Sequence, residues 1–218
     1  MLVFSKEKLV FLSVPKTGST AWEDALAPWA SLVVRHPPEL KHAPLFRYNR
    51  FFRPALERFC DGPIDILAVM REPVDWLGSW YRYRGRDDQR DARISTHGLG
   101  FAEFVEGYLA DPRPAFARIG SQSKFLEPLK DGLSVTHLFR YDDTAGLSAF
   151  LEARLGGPVT TRRLNVSPAP NDAGMLRLPE ALLSRLRAVC HADFALYDGI
   201  ATQGAYRALP RGAARAHD

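Results

Sequence analysis

Lys16-Thr17-Gly18-Ser19-Thr20 is a run of one ammonium, three hydroxyls and one glycine, preceded by Pro15 and by the apolar run Leu9-Val10-Phe11-Leu12-Ser13-Val14. The apolar run reads as a buried strand and the stretch from Ser19 as a helix, so a strand empties into a short loop at a helix N-terminus. Backbone N–H groups at such a terminus carry partial positive charge and have no partner within the helix, and Lys16 with the neighbouring hydroxyls adds further donors. The chemistry this favours is the holding of an oxyanion the size of a phosphate. A plainer reading makes Ser19 or Thr20 an ordinary helix cap, but a cap needs no lysine. The loop is not a Walker sequence, because that motif places its lysine after a second glycine, whereas Lys16 precedes Gly18.

A second block has the same construction. Ile64-Asp65-Ile66-Leu67-Ala68-Val69-Met70 reads as a strand and runs into Arg71-Glu72-Pro73, after which Trp76, Trp80 and Tyr83 recur on one helical face. Pro73 suits a first helical turn, where its missing N–H would have no partner. An arginine at a strand end can grip a phosphate through two parallel hydrogen bonds, and Ser79, further along the helix, can donate a hydroxyl to the same group. The alternative is that Arg71 pairs with Glu72 or Asp75 and that Ser79 is an ordinary helix residue.

Taken together, the two blocks resemble the phosphate-binding motifs of the sulfotransferases that use 3′-phosphoadenosine-5′-phosphosulfate (PAPS). Pro15-Lys16-Thr17-Gly18-Ser19-Thr20 is similar to their 5′-phosphosulfate loop, and Arg71 with Ser79 eight residues later is similar to their 3′-phosphate block. The family commonly has Asn or Asp where Glu72 stands and often Arg where Trp76 stands. The resemblance implies that Lys16 is catalytic and touches the phosphosulfate, that Thr17, Gly18, Ser19 and Thr20 cradle the 5′-phosphate, and that Arg71 and Ser79 hold the 3′-phosphate. Gln122, in Gly120-Ser121-Gln122-Ser123-Lys124-Phe125-Leu126, resembles a family glutamine before an aromatic-leucine pair. Arg163 and Asn165 lie in a segment similar to the late loop that closes over the nucleotide. Both are thereby expected to bind the nucleotide, a polar cap and a basic hairpin being the plainer alternatives. The likeness extends over about residues 7 to 198, with only the two phosphate blocks specific.

Sulfuryl transfer also needs a base. Lys41-His42-Ala43 resembles the Lys/His-His-Ala segment of bacterial relatives in the carbohydrate-sulfotransferase branch, and an imidazole titrates near neutrality, so His42 is the first choice. His36, Glu23 and Asp24 remain open, and His137, inside a strand pattern, reads as structural. The co-substrate implied is PAPS, with no metal, and the acceptor is a small molecule or carbohydrate that the residues do not identify. Two other readings stand beside this one. A P-loop-like nucleotide kinase with a degraded motif would need magnesium and an acidic strand end where this chain has Arg71. The other is a catalytically inactive nucleotide-binding module.

The elements needed to position these residues are legible as alternating patterns. Helices are expected over 19–29, 48–60, 74–84, 101–110, 146–155 and 179–192, and further strands over 32–35 and 134–141, with a proline-rich loop over 37–44. Strands alternating with helices imply an α/β fold of three layers, P-loop-like, with a central mainly parallel sheet flanked by helices. The 218 residues suit one domain, over 1–206, followed by a small basic frayed tail over 207–218. A net charge of +4 without a block of like charges suits a small polyanion and does not demand nucleic acid. Cys60 and Cys190 are far apart and expected as free buried thiols. Absence of a signal-peptide core or an apolar stretch of membrane-spanning length gives the expectation of a cytoplasmic protein, and the resemblance to the sulfotransferases implies the compact soluble form seen in bacteria.

Overall fold

The computed structural model describes residues 1–90, 93–159, 176–200 and 207–208. They divide into two compact units, one built from stretches 1–71, 122–159, 198–200 and 207–208, the other from 72–90, 93–121 and 176–197. The protein is mixed α/β.

The first unit holds a six-stranded sheet of β1 (Leu2–Phe4), β2 (Leu9–Leu12), β3 (Leu32–Val33), β4 (Asp65–Met70), β5 (His137–Arg140) and β6 (Arg207–Ala208), in the order β3-β1-β2-β4-β5-β6. Only the three central strands are parallel: Leu9 to Leu12 pair with Asp65 to Ala68, and Leu67 to Met70 with His137 to Arg140. β1 is antiparallel to β2 and to β3, and β6 is antiparallel to β5. The expected mainly parallel sheet is thus corrected to a parallel centre with antiparallel margins. The cause lies in β1, three residues too short to show a period, which wedges between β2 and β3. β3 still runs in the direction of β2, as a β-α-β crossover requires, but its neighbour is β1.

Alternate residues of the central strands build one core. Leu9, Phe11, Leu67, Val69 and Phe139 cluster with Trp22 and Leu26 of α1 (Ser19–Leu26) and with Leu147, Leu151 and Leu155 of α8 (Thr144–Leu155). The α8 leucines recur every four residues and so form one stripe. The intervening Val10, Leu12, Ile66, Ala68, Met70 and Leu138 are also buried, so these strands are covered on both faces and read as continuous apolar runs. At the start of β4, buried Asp65 accepts from Arg154 Nη2 at 2.7 Å, with His137 Nε2 at 3.6 Å. His137 belongs to this structural cluster at the strand end opposite Arg71.

Three short helices lie between β3 and β4: α2 (Pro38–Lys41), α3 (Leu45–Phe51) and α4 (Arg53–Phe59). The helix expected over 48–60 is broken at Phe52, because Pro54 has no N–H for the carbonyl of Arg50 and its ring crowds that oxygen. α2 is a single turn inside the proline-rich loop, with Pro38 in its first turn. α7 (Gln122–Phe125) opens the stretch after the second unit's longest insertion. Of the stretch expected as a frayed tail, Arg207–Ala208 forms β6, and the rest lies outside the described residues.

The second unit is helical: α5 (Pro73–Arg84), α6 (Phe101–Leu109), α9 (Glu180–Val189) and most of α10 (His191–Asp198). Trp76 and Leu77 pack with Phe104, Val105, Tyr108, Leu182, Leu186 and Phe194. Trp76, Trp80 and Tyr83 meet edge to face at 6.1 and 5.9 Å, so the aromatic face of α5 is largely core. Glu72 caps α5, its Oε2 accepting the Asp75 N–H at 2.7 Å. Glu72→Ala is expected to cost about 1 kcal/mol of stability, measured by denaturant unfolding, while Glu72→Asp costs less. Cys60 and Cys190 are free, and half-buried where full burial was expected. Among the described residues no helix is long and apolar enough to cross a membrane.

Candidate active site

β2, β4 and β5 run parallel, so the residues following them emerge at one edge of the sheet. Those residues are the loop 13–18, Arg71 and Tyr141. The loop is built by two left-handed residues, Lys16 at φ 67° and Gly18 at φ 69°. For a lysine this conformation costs about 1–2 kcal/mol, since its Cβ crowds the following carbonyl, and such strain is concentrated at ligand sites. Gly18 is needed on a second count: a Cβ there would lie 3.0 Å from Tyr141 Cε2. Thr17 is buried and its hydroxyl donates to Val14 O at 2.8 Å, closing the loop. Its side chain therefore shapes the loop.

α1 begins with Gly18 as its cap residue and with no side-chain cap. The simple-cap alternative for Ser19 or Thr20 is therefore not what the helix uses. Gly18 O accepts from Ala21 N and Trp22 N at 3.0 and 3.4 Å, and Gly18, as the cap residue, gives the helix start no side-chain cap. Ser19 is buried, and Thr20 is exposed with its hydroxyl 3.4 Å from Lys41 Nζ.

Arg71 follows β4 directly. Its N–H donates to Gln122 Oε1 at 2.9 Å and its carbonyl accepts from Gln122 Nε2 at 2.8 Å. Its Nη1 donates to Lys16 O at 3.3 Å, and the guanidinium lies 4.4 Å from the Tyr141 ring centroid. The two cationic residues singled out in the sequence are thus neighbours, bridged by a main-chain carbonyl.

His42 ends α2, with Nδ1 2.7 Å from Ser13 O. A carbonyl only accepts, so in the neutral ring Nδ1 carries the proton and Nε2 keeps its lone pair. Burial pushes the His42 pKa below the ordinary imidazole value, the Ser13 carbonyl opposes this, and the nearby Lys41 charge lowers it further. A neutral ring with a basic Nε2 is the form a proton acceptor requires. Of the alternatives, Glu23 is buried with one oxygen 2.8 Å from Arg35 and the other 3.3 Å from Lys41. Asp24 lies on the exposed side of α1, 3.9 Å from Arg35, and His36 is exposed.

Lys16, Thr17, Gly18, Ser19, Thr20, Arg71, His42 and Gln122 all belong to the first unit. Gln122, expected to bind the nucleotide, is fully buried, and its amide bonds the Arg71 N–H and carbonyl. Ser79 is a buried residue in the middle of α5, within the second unit. Arg163 and Asn165 lie outside the described residues. Two participants escaped the sequence reading: Tyr141 and the pairing of Lys41 with Glu23 and Thr20. Tyr141 had a signal, as it follows its strand just as Arg71 follows β4. Among the described residues no group of three or more His, Cys, Asp or Glu is placed to hold a metal ion. The chain matches no family model and no curated protein.

Proposed function

We propose that the chain is a PAPS-dependent sulfotransferase on a three-layer, P-loop-like α/β scaffold, moving a sulfuryl group to a hydroxyl or amine of a small-molecule or carbohydrate acceptor. The observation carrying this reading is the shared strand edge. A strained lysine in an uncapped helix entry lies there beside an arginine whose Nη1 is 3.3 Å from the lysine carbonyl. One nucleotide bearing phosphates at both ends is the ligand such a pair suits.

In this reading the loop N–H groups and Lys16 hold the 5′-phosphosulfate, and Arg71 holds the 3′-phosphate. The acceptor oxygen attacks sulfur and forms the new S–O bond. The S–O bond to the 5′-phosphate breaks, and its electron pair leaves with adenosine 3′,5′-bisphosphate, where Lys16 offsets the growing charge. The acceptor proton passes to His42 Nε2. Positioning and charge stabilisation supply most of the rate, as in phosphoryl transfer.

The test is calorimetric binding of adenosine 3′,5′-bisphosphate, 5′-AMP and ATP-magnesium, followed by PAPS turnover against a panel of acceptors. Preference for the bisphosphate with sulfuryl transfer is expected. Preference for ATP-magnesium would return the kinase reading, and bisphosphate binding without transfer to any acceptor would leave the inactive module.

The pH dependence follows from His42. Protonation removes the Nε2 lone pair, so kcat/KM falls as pH drops through a pKa lowered by burial. The acid limb is therefore expected below about 6.5, the ordinary imidazole value, with a plateau at neutral pH. His42→Ala is expected to abolish that limb and slow turnover by about 10²- to 10⁴-fold. A limb that persists in His42→Ala assigns the proton to another group.

A further inference from the structure

Gln122 is 0 % exposed, yet both atoms of its amide are bonded to a single residue's main chain: Oε1 takes the Arg71 N–H at 2.9 Å and Nε2 gives to the Arg71 carbonyl at 2.8 Å. This is the pairing a neighbouring strand offers. β5 supplies it as far as Met70, whose carbonyl accepts from Tyr141 N at 2.8 Å. One residue later the ladder is continued by the Gln122 side chain. The chain leaves the first unit after Arg71 and returns at Gln122, so the amide also fastens the two ends of the 72–121 excursion.

Beyond the main chain, the Arg71 guanidinium meets the Tyr141 ring at 4.4 Å and the Lys16 carbonyl at 3.3 Å. A planar guanidinium over an aromatic face has its plane fixed, and bidentate recognition of a phosphate depends on that plane. Tyr141 is itself anchored by the Met70 carbonyl and lies close to Gly18, where an added Cβ would come to 3.0 Å from its ring. Gln122, Tyr141 and Gly18 therefore form one support under the arginine.

We infer that Gln122 is a positioning residue for 3′-phosphate selection, acting by clamping the Arg71 main chain so that the guanidinium rests on Tyr141 in the plane the phosphate needs. This rests on the sulfotransferase reading above. Gln122 touches no nucleotide; it determines where Arg71 does.

The test is the ratio of affinities for adenosine 3′,5′-bisphosphate and 5′-AMP, measured by calorimetry on the full chain, with PAPS kinetics alongside. Gln122→Met keeps the volume but removes both hydrogen bonds. It is expected to lower the ratio about tenfold, with 5′-AMP affinity held within about twofold and PAPS KM raised more than kcat is lowered. Gln122→Glu keeps the acceptor for the Arg71 N–H and is expected to retain an intermediate ratio. Tyr141→Leu should lower the ratio like Gln122→Met, and Tyr141→Phe should preserve it. The tyrosine pair decides the matter if Gln122→Met does not fold. A wild-type ratio in Gln122→Met or in Tyr141→Leu, with the ratio lost in Arg71→Ala, overturns the inference and leaves the sulfotransferase reading standing. Equal weakening of both ligands in Gln122→Met also overturns it, because general loop damage has that signature. Retention of the ratio in Arg71→Ala refutes the 3′-phosphate assignment itself.

Discussion

Lys16→Ala is expected to lower kcat for sulfuryl transfer by about 10²- to 10³-fold, the loss seen when one preorganised donor is removed from a developing anion. The ammonium is most valuable once the bond to the 5′-phosphate is breaking, so kcat should suffer more than donor KM. Alanine keeps the Cβ that makes φ 67° costly, so its strain equals that of lysine. Stability should then change by no more than about 0.5 kcal/mol, as at an ordinary partly exposed site. Lys16→Gly separates function from fold more sharply. It relieves about 1–2 kcal/mol of left-handed strain against an entropic cost of about 0.5–1 kcal/mol. The glycine variant should therefore be as stable as the parent or slightly more so, and equally inactive. Steady-state rates with saturating PAPS, paired with thermal unfolding, check both halves. Wild-type turnover in either variant would remove Lys16 from the chemistry.

The strand–turn–helix form of the two blocks was legible because its information is local. An apolar run, a turn-forming cluster and a helix entry lie within about twenty residues in each block, and β2, α1, β4 and α5 fall close to where the pattern places them. Lys16 at positive φ was not legible, since nothing in lysine's preferences favours that region; the loop imposes it. Gln122 and Tyr141 reach Arg71 across 51 and 70 positions, and their roles depend on knowing that β5 adjoins β4. Strand order is a tertiary fact with no local signature. β1 was missed for a different reason: three residues are shorter than one readable period, although all three are buried. The break at Phe52 was missed, the helix being expected unbroken over 48–60, although Pro54 carried the local signal for it. Ser79 was singled out by its spacing from Arg71, and it lies buried in the middle of α5.

Arg71→Ala is expected to lower the preference for adenosine 3′,5′-bisphosphate over 5′-AMP by about 10- to 100-fold, the range for losing one or two hydrogen bonds to a charged group. PAPS KM should rise in proportion while kcat changes little, because the 3′-phosphate takes no part in bond breaking and is held equally in ground and transition states. Arg71→Lys provides the discriminating control. A lysine keeps the charge but lacks the planar fork, cannot stack on Tyr141 in the same way and cannot form two parallel hydrogen bonds. It should restore a salt-sensitive part of the affinity, screened away as ionic strength rises. The two cations are then separated by kinetics alone: the lysine variant fails at turnover and the arginine variant fails at recognition, although the Arg71 side chain reaches the Lys16 main-chain carbonyl at 3.3 Å. If Arg71→Ala were to lower kcat as severely as Lys16→Ala with the nucleotide preference intact, both cations would belong to a single anion subsite. The ligand would then carry one phosphate group at this edge of the sheet, and the bisphosphate reading would fail.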